Sequence, residues 1–159
     1  MDKNSELMTT EKVTKKVMFV RIQRSYGELL NRQKLGKEPV KGRENIYQCT
    51  RKYWKVNKEN AEQADYIAGV FRNDEGIYII KSVYKNSEWK KVKDFPEMSD
   101  DEEVIENPKY LDRFAFSGIE ENVVEPSVWK EYVGTALDFD FSNIRSFYYN
   151  YKTKGNKKR

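Results

Sequence analysis

The sequence predicts an α+β chain dominated by sheet, and three observations carry that prediction. Aromatic residues make up 14% of the chain, and aromatic and β-branched side chains suit a pleated, half-buried surface better than a helix bundle. Residues 17–22, 64–71 and 76–84 are apolar runs of strand length. Between them lie shorter stretches with helix spacing or helix-capping signals. At 159 residues the chain has the length of one domain.

Residues 1–14 are polar and aperiodic and read as a flexible N-terminal tail. Residues 17–22 form the first predicted strand. Ser25 followed by Glu28 has the capping-box pattern, so a short helix is expected over residues 26–32 with Leu29 and Leu30 facing the core. Residues 34–44, with Gly36, Pro39 and Gly42, read as a surface loop. Ile46, Tyr47, Thr50, Tyr53 and Trp54 have helix spacing, with Asn45 as the cap; this puts Gln48, Arg51, Lys52 and Lys55 on the opposite face. Residues 65–71 and 77–85 are expected to form a hairpin around the turn at Gly76, with residues 88–92 as a fourth short strand. Residues 93–109 carry seven acids and two prolines and read as a flexible acidic loop insertion. A strand over 110–117 ended by Gly118, a helix over 126–133 stopped at Gly134, and a last strand over 144–151 complete a single domain of residues 15–151. Residues 152–159 form a basic C-terminal tail.

The net charge of +4 conceals a pattern. Residues 1–92 hold 20 Lys/Arg against 12 Asp/Glu, residues 93–125 hold 3 against 11, and residues 126–159 hold 7 against 3. Two basic blocks flank an acidic one, which allows a basic face at modest net charge. The single cysteine, Cys49, permits no internal disulfide and no cysteine-clustered zinc site. The absence of histidine removes Ser-His-Asp and Cys-His catalysis and the commonest metal ligand. No metal or cofactor is expected. No stretch approaches the roughly 20 apolar residues of a membrane span, and residues 1–6 lack the apolar region of a secretory signal. A cytoplasmic protein without a membrane partner is expected.

Catalytic patterns are weak. Gly76-Ile77-Tyr78 invites comparison with GIY-YIG nucleases, but the partner Tyr-Ile-Gly triplet is missing. Neither a Walker pattern nor G-x-G-x-x-G occurs. Asp100, Asp101, Glu102 and Glu103 form an acidic run, which suits an exposed face better than the desolvated site a general acid needs. Binding has more support. Arg51, Tyr53, Trp54 and Lys55 place stacking faces beside phosphate-pairing cations, and Arg24 and Tyr26 at the end of the first strand could line the same cleft. Stacking of a base on a ring contributes about 1–3 kcal/mol, and Lys/Arg contacts add a salt-dependent term. Tyr53 and Trp54 also fit a core role, and helix spacing turns Trp54 inward.

The order of these pieces resembles a family. The elements are Arg21-Ile22-Gln23-Arg24-Ser25-Tyr26, then Tyr47, Thr50, Arg51, Tyr53-Trp54-Lys55-Val56-Asn57, then Ala64-Asp65-Tyr66, Ala68, Val70-Phe71, Val83-Tyr84-Lys85 and Trp89. After the acidic stretch come Arg113-Phe114, Phe116, Gly118, Tyr132-Val133-Gly134 and Asn143, Ser146-Phe147-Tyr148. Over residues 15–151 this order is similar to small bacterial and phage proteins that look like the PUA-like superfamily, which includes EVE and ASCH domains. It departs from the family pattern at Gln23, where Asn is expected, and in the acidic insert. The resemblance implies a partly closed β-barrel of five to six strands with short flanking helices. It also implies binding of RNA or of modified bases in DNA in an aromatic cleft.

The expected protein is therefore a non-catalytic nucleic-acid-binding module that reads a modified, flipped or single-stranded base. Its expected site residues are Arg24, Tyr26, Arg51, Tyr53, Trp54 and Lys55. Two other classes stay open. One is a small interaction or inhibitor protein, such as a phage counter-defence factor, whose residues 93–109 engage a basic protein partner. The other is a sensor of a nucleotide-derived small molecule in the same cleft.

Overall fold

In a computed structural model, residues 14–116, 122–137 and 146–152 are described. The chain is α+β. Strands β1 (Thr14–Arg21), β3 (Tyr66–Arg72), β4 (Tyr78–Lys85), β7 (Ala136–Leu137) and β8 (Ser146–Lys152) form a curled sheet in the order β7-β4-β3-β1-β8. The sheet is mixed: β1 runs parallel to β3, and its other pairings are antiparallel. A second sheet has the order β2-β6-β5, from β2 (Lys52–Trp54), β5 (Trp89–Lys91) and β6 (Phe114–Phe116). The helices are short: α1 (Gln23–Lys34), α2 (Ile46–Arg51), α3 (Lys58–Ala61), α4 (Glu102–Glu106) and α5 (Pro126–Tyr132).

The central strand explains the apolar run at residues 17–22. Alternate residues Val17 and Phe19 enter one core with Ala68, Val70, Ile80 and Tyr132, while Met18 and Val20 enter another with Ile67, Tyr84 and Trp89. Both faces are covered, so the strand reads as continuous apolar sequence rather than an alternation. The expected hairpin is present. Tyr66–Arg72 pairs with Tyr78–Lys85, and the Asn73 carboxamide accepts from the Glu75 and Ile77 amides at 2.9 Å to shape the turn.

Helix α2 is seated on the large sheet at Gly69. Thr50 Oγ1 and Ser82 Oγ lie 2.8 Å apart over this glycine, and a Cβ there would approach Ser82 Oγ to 2.5 Å. Asn45 caps α2 as expected, accepting from the Gln48 amide at 2.9 Å. The helix ends at Arg51, whereas its spacing predicts continuation to residue 56. Residues 52–54 instead pair with β6, Lys52 opposite Ala115 and Trp54 opposite Phe114, and the Lys52–Tyr53 peptide is cis. A short apolar run satisfies helix and strand periods alike, and only the partner strand decides.

Three further differences have local causes. Helix α1 starts at Gln23, with no side-chain cap. Ser25 therefore lies inside the first turn and does not cap it. Leu30 is exposed. Strand β5 joins the second sheet rather than extending the hairpin. Residues 93–109, expected to be a flexible insertion, hold two 3-10 turns (Val92–Asp94 and Pro96–Asp100) and α4, followed by a third turn at Pro108–Asp112. Phe95, Met98 and Val104 from this segment are buried with Tyr53, Val92 and Ala115 in a third core. Most of the expected tails, Ser117 with Gly118, and the start of the last expected strand at residues 144–145 lie outside the described residues.

Candidate binding cleft

The start of α1, strand β2 and the acidic segment meet around a cleft of about 500 Å³. Gln23 fixes the first of these walls. Its side chain accepts from the Arg72 amide at 2.6 Å and donates to the Arg72 carbonyl at 3.1 Å, tying the helix start to the end of β3.

Two ion pairs fix the opposite wall. Asp101 is buried; it accepts from Lys52 Nζ at 2.9 Å and from the Tyr53 hydroxyl at 2.6 Å. Its carboxyl group lies against Gly42, which has a φ of 102° and no room for a Cβ. Burial lowers the pKa of Lys52, only partly offset by Asp101. Burial and the hydrogen bond to Asp101 both push the Tyr53 phenol well above its ordinary value. Nearby, Arg43 donates from Nε to Glu103 at 2.9 Å and from Nη2 at 3.3 Å, the forked geometry that makes such pairs strong. Arg43 also donates to the Lys52 carbonyl at 3.0 Å, so the acidic segment and β2 share one anchor. Burial opposes the charge on both partners, but their hydrogen bond and mutual attraction win: Arg43 is raised and Glu103 is lowered.

The remaining lining is cationic and aromatic. Tyr53 stacks on Tyr110 at 5.3 Å between centroids, and the Arg113 guanidinium lies 4.3 Å from the Tyr110 centroid. Trp54 is half-buried, its Nε1 donating to the Thr50 carbonyl at 2.7 Å. Arg24 and Lys109 are exposed on the lining. Two carboxylates, Glu28 and Glu103, also line the cleft, and each already has a partner: Arg32 at 3.4 Å and Arg43 at 2.9 Å. Among the described residues no carboxylate forms an ion pair with Arg24, Lys109 or Arg113.

Of the residues singled out from sequence, the cleft brings together Arg24, Tyr53 and Trp54. Tyr26 instead packs edge-on against Phe71 at 5.4 Å. Arg51 is buried: its Nε donates to the Phe116 carbonyl at 2.9 Å, and its guanidinium lies 5.2 Å from the Phe95 ring centroid. Burial lowers its pKa. Lys55 is exposed on an adjoining hollow. Sequence reasoning passed over Arg43, Lys109, Tyr110 and Arg113. Lys109, Tyr110 and Arg113 interleave cations with an aromatic, the same cue that marked residues 51–55, but they adjoin the acidic run and were masked by it.

Among the described residues there is no cluster of metal-ligating side chains, and no helix is long and apolar enough to cross a membrane. Comparison of the chain with protein-family models, curated proteins and solved structures returns no match.

Proposed function

We propose that this protein is a non-catalytic nucleic-acid-binding module, with a base against Trp54 and phosphates against Arg24, Lys109 and Arg113. The observation that carries the reading is the charge state of the cleft. Each of its carboxylates is paired with an arginine, while three of its cations, Arg24, Lys109 and Arg113, form no ion pair among the described residues, although Arg24 is near enough to Glu103 to help lower its pKa. Such a surface attracts a polyanion. The first turn of α1 adds to this attraction: Gln23, Arg24 and Ser25 line the cleft, and the turn holds no acid and no side-chain cap. The positive end of the helix dipole therefore lies there. Trp54 offers a partly open ring, whereas Tyr53 is buried and already stacked. The resemblance to PUA-like domains favours the same ligand class.

The test is a salt series with labelled single-stranded and duplex DNA and RNA, including modified cytosine, on wild type, Trp54→Ala and Arg24→Ala. Affinity should fall with salt and drop about 5- to 150-fold on loss of the Trp54 ring, the equivalent of about 1–3 kcal/mol of stacking. Salt-sensitive binding indifferent to both substitutions would assign the affinity to the basic tail. No binding at low salt would end this reading.

A second reading rests on a specific observation. Asp94, Glu97, Asp100, Glu102 and Glu106 are exposed on the acidic segment. They would present a negative ridge to a basic protein partner.

A further inference from the structure

The cleft does not stand alone. On the far side of Lys109 and Arg113 lies a second hollow of about 450 Å³, lined by Lys55, Val56, Lys109, Asp112, Arg113 and Phe114. Lys109 and Arg113 line both spaces. Trp54 and Lys55 are neighbours in the chain yet line different spaces, and Trp54 of the first is the cross-strand partner of Phe114 of the second. The second hollow repeats the chemistry of the first. Half-buried Val56 and Phe114 supply an apolar floor, and Lys55 supplies an exposed cation. Its carboxylate, Asp112, sits 3.4 Å from Lys93 Nζ and is thus already partnered.

We infer that the two hollows form one track for a single-stranded polynucleotide, with successive bases on either side of Lys109 and Arg113 and the intervening phosphate held between these two cations. The inference rests on the nucleic-acid reading above and narrows it to a ligand class. A mononucleotide fills one hollow only. A duplex keeps its bases stacked inside and cannot deliver them to two separate hollows without unpairing. Aromatic or apolar platforms alternating with cations are how proteins follow a single strand with little dependence on sequence.

The experiment uses the full chain with thymidine monophosphate, oligothymidylates of two, four and eight nucleotides, a hairpin duplex, and polyglutamate as a non-nucleic polyanion. Affinity should rise at least about tenfold from the mononucleotide to the tetranucleotide, which at 1.4 kcal/mol per decade matches one added stacked base. Lys55 is exposed and unpaired among the described residues, so Lys55→Ala leaves the fold intact. It should weaken the tetranucleotide several-fold and by more than it weakens the mononucleotide, narrowing the gap between the two, and reduce the salt slope for the tetranucleotide by about 0.7, the value for one lost phosphate contact. Equal affinity for mononucleotide and tetranucleotide, or preference for the duplex, would overturn the track and leave the base-binding cleft standing. Binding of polyglutamate with none of the nucleic acids would overturn both.

Discussion

Along β1, β3 and β4 the interior is almost entirely apolar on both faces of the sheet, from Val17 and Phe19 to Ile67 and Trp89. Around β2 and β6 the interior also holds Arg51, Lys52 and Asp101, and the half-buried Arg43–Glu103 pair closes its edge. The two regions solve different problems. Apolar burial is strong and non-directional, so it holds the large sheet together without specifying much beyond which side is in. A buried ion pair adds little net stability, because desolvation consumes most of its attraction, but it tolerates only one geometry. The ionic region fixes the acidic segment against β2 and thereby sets the width of the cleft. The apolar region supplies a rigid backing and no ligand chemistry.

The sharpest way to break this contrast is Asp101→Ala. It leaves Lys52 buried without its partner and should cost about 3–5 kcal/mol of stability, read from chemical denaturation. Replacing both partners, Lys52→Met with Asp101→Leu, should recover much of that loss, and adding Tyr53→Phe, which removes the hydroxyl that Asp101 also accepts from, should bring stability near wild type. A double variant as unstable as the single one would show that the pair is more than an exchangeable clasp.

On the apolar side, Ile80→Ala should cost about 2–5 kcal/mol through lost burial and the cavity left behind. Single-strand binding measured on its folded fraction should be unchanged. A loss of affinity here would mean that the two regions are not separable.

A smaller effect is expected at Glu103→Gln, which exchanges the charged partner of Arg43 for a neutral one. Hydrogen bonds to charged groups contribute about 1.5–3 kcal/mol, and part of that should be lost at neutral pH. The pH dependence carries a sign. Glu103 has a folded pKa below its ordinary value of about 4.3, so its contribution is fully present above that value. It is lost as pH falls through the lowered folded value. The stability difference between wild type and the variant should therefore shrink on acidification; a constant difference would remove the charge from the account.

Smallest in stability, yet decisive between functions, is conversion of the exposed acids Glu97, Asp100, Glu102 and Glu106 to their amides. Surface changes of this kind usually stay within about 0.5 kcal/mol each. Nucleic-acid binding should be retained or strengthened, whereas a basic protein partner would be lost. Deleting the segment would not make this distinction, because it would also remove Met98, Asp101, Glu103 and Val104 from the interior.

Much of the fold was legible because its signals are local. The apolar run that becomes β1, the Asn45 cap and the Gly76 turn each depend on a few adjacent residues. The end of α2 was not legible, because Tyr53 and Trp54 satisfy helix spacing and only β6, some sixty residues on, claims them as a strand. The acidic stretch misled for a related reason. Its composition is that of a solvated loop, yet Phe95, Met98 and Val104 suffice to dock it.

The cleft shows the same division. By itself the sequence determined the chemistry available: no histidine, one cysteine, and cations interleaved with aromatics in the middle of the chain. Only the tertiary structure decided which of those cations line the cleft and stay exposed. Arg51, Lys52 and Arg24 look alike in sequence. Yet Arg51 is bound to a carbonyl 65 residues away, Lys52 to a carboxylate 49 residues away, and Arg24 remains exposed. A charge enters the interior only where a partner meets it with the right geometry, and whether that partner arrives is settled by the packing of distant segments.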